Sequence, residues 1–97
     1  MIENIYGLVV YMKKEKNSFI KVKLHDDEYY YDVLRENLKS IRKSKGLTQQ
    51  ELADLSLLSR EYVCDIENKK RNKHPSLSVI GRIADALEIE IALLFKQ

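Results

Sequence analysis

The sequence predicts a mainly α fold of five helices preceded by an N-terminal β-hairpin, and three observations predict it. Apolar residues alternate with lysines over Ile20, Val22 and Leu24, a period of two. From Asp26 onward the spacing changes to three and four, with Tyr31, Leu34, Leu38 and Ile41 forming one apolar face. Further on, Thr48-Gln49-Gln50-Glu51 reads as a capping box, in which a Thr hydroxyl accepts a backbone N–H while the Glu three residues later reaches back.

The elements follow in chain order. Ile5 to Met12 is rich in Val, Ile and Tyr and suits a strand; Lys13 to Asn17 is polar and can turn; the alternating segment returns. Either Asp26 or Asp27 caps the first helix, which stops at Gly46 with Arg42, Lys43 and Lys45 at the favourable end of its dipole. The capping box opens a short second helix carrying Leu52, Ala53 and Leu55, and Ser56 to Leu58 make a turn. Ser59 caps a third helix with Val63 and Ile66 inward. Pro75-Ser76 opens a fourth, with Leu77, Ile80, Ile83, Ala84 and Leu87 inward and Gly81 explained by close packing against a neighbour. Ile91 to Phe95 form a short apolar terminal helix. The expected organisation is an extension over residues 1–25 and one compact unit over residues 26–97.

Composition narrows the function. The chain has 97 residues, of which 44% are hydrophobic and 33% charged; that suits one folded domain and argues against disorder. A lone Cys64 excludes an internal disulfide framework. His25, His74 and Cys64 are too few and too scattered for a zinc site, so no metal is expected. Asp26, Asp27 and Glu28 suit a helix start better than a catalytic set. With no nucleophile–base pair and no phosphate-cradling glycine loop, neither an enzyme nor a cofactor is expected. The apolar run Ile5 to Met12 is far short of the ~20 residues that span a bilayer, and its flank lacks the basic residues of a secretory signal, so a cytoplasmic chain with no membrane partner is expected.

Net charge is only +2, but it is unevenly placed. Residues 1–31 are neutral, residues 32–75 carry +3, and residues 76–97 carry −1. Within the middle segment, Lys69-Lys70-Arg71-Asn72-Lys73-His74 is a cationic run without an acid. Taken alone such a run is a solvated loop.

The motifs then combine. Gly46-Leu47-Thr48-Gln49-Gln50-Glu51-Leu52-Ala53, Leu58-Ser59-Arg60-Glu61-Tyr62-Val63, Ile66-Glu67-Asn68, Pro75-Ser76-Leu77 and Ile83-Ala84-Asp85-Ala86-Leu87 through Leu94-Phe95 stand in an order and spacing that resembles the lambda-repressor/Cro type of helix-turn-helix domain, the Xre family. The likeness covers roughly residues 33–95. It implies a five-helix lambda-repressor-like domain that binds double-stranded DNA. The third helix would enter a major groove wide enough to admit it. Base readout then falls to Ser59, Arg60 and Glu61, with Cys64 and Asp65 one turn on. Arg60 leads, because its fork matches guanine O6 and N7; the bland alternative is a surface pair with Glu61 or Asp65. Glu61 either accepts from cytosine N4, orients Arg60 or repels phosphate. Cys64 reads as a small residue that fits near DNA.

Phosphate contacts are expected from Thr48 and Gln49 at the start of the second helix, from the Tyr62 hydroxyl, and from Asn68, Lys69, Lys70, Arg71 and Lys73 in the basic loop. Glu67 to Asn72 is also similar to restriction–modification controller proteins. The family implies a homodimeric repressor or autoregulator on a palindromic site. Its seam is expected at Leu87, Ile89, Ile91, Leu94 and Phe95, unless these residues only close the monomer core. Departures are Leu57, where the family often has Gly, and Glu90, where it has a capping Ser or Thr. A second reading is an antitoxin-type protein that binds a partner toxin through residues 1–25 and autoregulates its operon; deletion of residues 1–24 separates the two.

Overall fold

A computed structural model describes residues 9–14 and 18–97. The sequence-expected strand start over residues 5–8 and the turn over residues 15–17 lie outside the described residues. The backbone divides into two compact units with the boundary between Tyr30 and Tyr31, inside the first helix.

In the first unit, β1 (Val9–Lys14) and β2 (Ser18–Lys23) pair antiparallel, with Val10 opposite Val22 and Met12 opposite Ile20. The strand runs through Lys13 and Lys14, which their polarity alone assigns to the turn. Asp26 is the cap of the helix that follows: its Oδ1 accepts the Tyr29 N–H at 3.0 Å. His25 stacks on Tyr29 with ring centroids 3.7 Å apart, and Tyr30 meets both rings edge-on.

The second unit is helical. Helix α1 (Asp27–Ser44) enters it, followed by α2 (Gln49–Ser56), α3 (Arg60–Glu67) and α4 (Leu77–Ala86). Among the described residues these are the four α-helices. The fifth helix expected over Ile91–Phe95 is instead a 3-10 segment, and a second 3-10 turn occupies Lys69–Arg71 in the basic loop. Glu90 explains part of the difference, since its side chain makes no capping hydrogen bond; a five-residue segment also gains few helical hydrogen bonds against the cost of nucleation.

One core draws on every helix: Leu34 and Leu38 from α1, Leu52 and Ala53 from α2, Val63 and Ile66 from α3, Ile80, Ile83 and Ala84 from α4, and Leu87 and Leu94 beyond it. Each fully buried Leu or Ile contributes roughly 1.5–3 kcal/mol of transfer free energy. Of the consecutive Tyr29, Tyr30 and Tyr31, it is Tyr31 that packs on this core; its hydroxyl donates to the Pro75 carbonyl at 3.0 Å, and its ring stacks on His74. Asn37 Nδ2 donates to the carbonyls of Leu94 (3.0 Å) and Lys96 (2.8 Å), tying down the terminal segment. Two expectations for α4 fail. Leu77 is 72% exposed, because it is the first helical residue and precedes the inward face. A Cβ on Gly81 would meet nothing within 4 Å, so close packing does not account for this glycine.

Helix ends explain the sharp turns. After α1, Gly46 takes a positive φ of 72° while its N–H donates to Lys43 and the Leu47 N–H reaches back to Arg42. Such a paired closure satisfies carbonyls the helix leaves open. The same bonding recurs after α2, with Leu57 at φ 58°, and after α4, with Glu88 at φ 55°. Leu57 therefore adopts the left-handed conformation that glycine takes more easily. Arg82 of α4 supports that turn, donating from Nε to the Ser56 carbonyl (3.1 Å) and from Nη2 to that of Leu57 (2.5 Å).

Candidate nucleic-acid interface

The capping box forms as its four residues imply: the Glu51 N–H donates to Thr48 Oγ1 at 3.0 Å, and the Thr48 N–H donates to Glu51 Oε1 at 2.9 Å. Ser59 caps α3 by accepting the Tyr62 N–H at 3.0 Å. Two short helices, closed at both starts and linked by a turn braced by Arg82, make a stiff unit. Its exposed edge carries Ser59, Arg60 and Glu61 at the start of α3.

Arg60 is exposed to solvent and pairs with neither Glu61 nor Asp65. Asp65 faces Arg71 of the basic loop instead, with Arg71 Nε 3.6 Å from its Oδ1. Cys64 is a half-buried free thiol. Tyr62 packs partly on the core, and Lys73 Nζ sits 5.6 Å above its ring. In the loop, Asn68 Oδ1 accepts the Lys70 N–H at 3.0 Å and opens the 3-10 turn. Lys69 Nζ lies 3.6 Å from Asp32 Oδ2. Lys70 pairs with no acid among the described residues, and Asn72 (φ 52°) turns the chain toward buried Pro75. The structure thus brings the start of α3 and the cationic loop onto adjoining segments of one unit.

Gln49 is placed differently from expectation. Its Nε2 donates to Glu67 Oε1 at 3.1 Å, so the amide expected to face a phosphate serves an internal network. The seam residues also divide. Leu87 and Leu94 are 1% and 0% exposed and belong to the monomer core, which leaves them no outer surface for a partner. Ile89 and Phe95 are half-buried, Ile91 is exposed, and Leu93, absent from the expected seam, is exposed beside them.

Sequence reasoning missed the network that orients α3. Arg42 on α1 and Glu67 at the end of α3 are both buried, 7% and 8% exposed. Arg42 Nε donates to Glu67 Oε2 at 2.7 Å, Nη2 to Oε1 at 2.9 Å, and Nη1 to the Leu47 carbonyl at 2.7 Å. The hydrogen bonds to Glu67, helped by its charge and opposed by burial, raise the Arg42 pKa above its already high ordinary value. Two turns earlier, buried Arg35 donates from Nη1 to the Ile66 carbonyl at 3.2 Å. A signal existed: Arg42 continues the four-residue spacing of Leu34 and Leu38, so a charge fell on the apolar stripe of α1, and Glu67 follows Ile66 at the end of α3.

The fold and this edge define a helix-turn-helix domain of the lambda-repressor/Cro type. A family model described as helix-turn-helix matches residues 38–94. The immunity repressor protein of Bacillus phage phi105 is 42% identical over 59 residues, which are 61% of this chain and 40% of that protein. Control protein C.SmaI of Serratia marcescens is 36% identical over 63 residues, 65% of this chain and 73% of that one. Among solved structures, the restriction-modification controller protein C.AhdI from Aeromonas hydrophila matches with a TM-score of 0.62 and 38% identity, covering 67% of this chain and 96% of that chain. The chain therefore belongs to the helix-turn-helix family, a family of DNA-binding regulators rather than enzymes. It spans 40% of the length of the phage repressor. Among the described residues, no helix is long and apolar enough to cross a membrane.

Proposed function

We propose that this chain is a sequence-specific DNA-binding transcriptional regulator that acts as a homodimer on a palindromic operator. One observation carries the reading: Arg60, exposed at the start of α3 and free of any ion pair among the described residues, adjoins a segment whose following loop holds four cations. A guanidinium kept free at that point suits bidentate recognition of guanine in the major groove. Ser59 and Glu61 flank it, while Lys70, Lys73, Asn68 and the Thr48 end of α2 contact phosphate and set the register.

The family likeness favours a dimer, and geometry gives the reason: one eight-residue helix reads only a few base pairs, and two-fold symmetry doubles the site. Exposed Ile91 and Leu93, bordered by Ile89 and Phe95, support a seam at the terminal segment. The names of the similar proteins, a repressor and two controller proteins, favour repression or autoregulation. Residues 1–25 act as an extension to the reading domain of residues 26–97.

Selection of bound sites from random duplex DNA tests the proposal. A two-fold symmetric consensus with guanine at matched half-site positions is the expected result; recovery of no consensus refutes sequence-specific binding.

A further inference from the structure

The four loop cations are not equivalent. Lys70 has no acidic partner among the described residues, whereas Lys69, although its side chain is 78% exposed, sits 3.6 Å from Asp32 Oδ2. We propose that Asp32 is a built-in competitor for DNA phosphate at Lys69, so that α1 carries an internal attenuator of backbone binding. The inference rests on the reading of the loop as a DNA contact.

Asp32 is suited to this because it also faces a second, buried cation on its own helix. Its other oxygen, Oδ1, is buried without a hydrogen bond and lies 3.8 Å from Arg35 Nε. Arg35 is itself fixed by its bond to the Ile66 carbonyl, and its Nε and Nη2 have no hydrogen-bond partner, so Asp32 is the acid placed to balance that buried charge. The carboxylate therefore lies between two cations, buried Arg35 and exposed Lys69, and a phosphate that draws on Lys69 competes with it. If Lys69 leaves for the phosphate, the pair with Asp32 is lost. If Lys69 bridges both, the phosphate lies next to a negative charge. Either course weakens binding, and it does so equally for every sequence, because phosphates carry no base information. Arg71 differs: it meets Asp65 through Nε, and its two Nη groups remain able to reach a phosphate.

Exposed pairs of this kind are weak, so the expected attenuation is about 1.5- to 5-fold per protomer. Salt dependence should respond as well. Freeing Asp32 on binding lets it recapture a cation, which offsets part of the counterion release from DNA.

The test uses the full chain, one operator recovered by site selection and one unrelated duplex of equal length. Asp32→Asn is expected to tighten binding to both by about 1.5- to 5-fold per protomer and to steepen the salt slope. Unchanged or weaker binding by a variant that still unfolds cooperatively overturns the inference. Because Asp32 also faces Arg35, Lys69→Ala and Lys70→Ala are compared in the otherwise unaltered chain, which decides the matter even if Asp32→Asn does not fold. Lys69→Ala should lose clearly less affinity than Lys70→Ala; an equal or larger loss overturns the attenuator alone. If Lys70→Ala has no effect on either duplex, the loop does not contact DNA and the inference falls with that reading.

Discussion

Arg42, on the first helix, grips Glu67, the last residue of the third, through hydrogen bonds of 2.7 and 2.9 Å inside the protein. The guanidinium meets the carboxylate side-on, through Nε and Nη2, and Gln49 from the start of α2 adds a third bond to the same carboxylate. Three helices are thereby locked in register at one point. Removing one partner leaves the other charge buried and uncompensated, which costs more than the intact pair contributes. Glu67→Ala should lower stability by about 3–5 kcal/mol in urea unfolding. The double change Arg42→Leu/Glu67→Leu should recover most of it, with orientation rather than stability suffering. From the Arg42 side no pH dependence is expected in ordinary buffers. Its pKa is raised in the folded state, so the stabilisation is complete below the unfolded value and fades only at strongly alkaline pH.

Arg60→Ala should relax base preference at one position of each half-site and cost about 1–3 kcal/mol on the preferred sequence. Binding to a panel of single-base operator variants measures this. An unchanged ranking of the variants would remove Arg60 from base readout.

Lys70→Ala should behave in the opposite way, weakening all duplexes alike and reducing the salt slope by about one unit per half-site. Titrations at several salt concentrations, on specific and random DNA, report both quantities.

Two helix ends hold residues that glycine would serve better. Leu57, at φ 58°, is 81% exposed, and Glu88, at φ 55°, is also exposed, so neither contributes packing that offsets its strained backbone. Leu57→Gly and Glu88→Gly should each raise stability by about 0.5–1 kcal/mol, the relief of strain exceeding the added unfolded-state freedom. Gly46→Ala should lower it. Thermal unfolding of the three variants gives the signs directly.

Neighbouring residues near the terminus should separate assembly from folding. On the proposed terminal seam, Leu93→Glu should shift the chain toward monomer in sedimentation experiments while leaving its unfolding cooperative. Leu94→Ala, at a fully buried position, should cost about 2–5 kcal/mol of stability. If Leu93→Glu leaves the dimer intact, the seam lies elsewhere.

Much of this molecule is legible in its amino-acid order. Capping residues announce themselves locally, because the bond from Thr48 to the Glu51 N–H, or from Ser59 to the Tyr62 N–H, spans only three residues. Hence the starts of α2, α3 and α4 and the stop at Gly46 follow from short strings. The apolar stripe of α1 is equally local, and the cationic run from Lys69 needs only counting.

Pairing between distant residues is not legible in the same way, since it depends on which faces meet. Linear order places Arg60 near Asp65, yet the fold sends Asp65 to Arg71 and leaves Arg60 without an ion pair among the described residues. It places Gln49 at the outer edge, whereas tertiary packing turns its amide to Glu67. It lends Leu87, Ile89, Ile91, Leu94 and Phe95 one apolar character, and only burial separates the core pair from the rest. By itself, then, the sequence determined the four α-helices, their order and the caps that start them, because those depend on bonds within one turn of chain. Tertiary structure alone decided which charges are tied and which are free, because an ion pair forms where two elements bring opposite charges within reach, however far apart they lie in the chain.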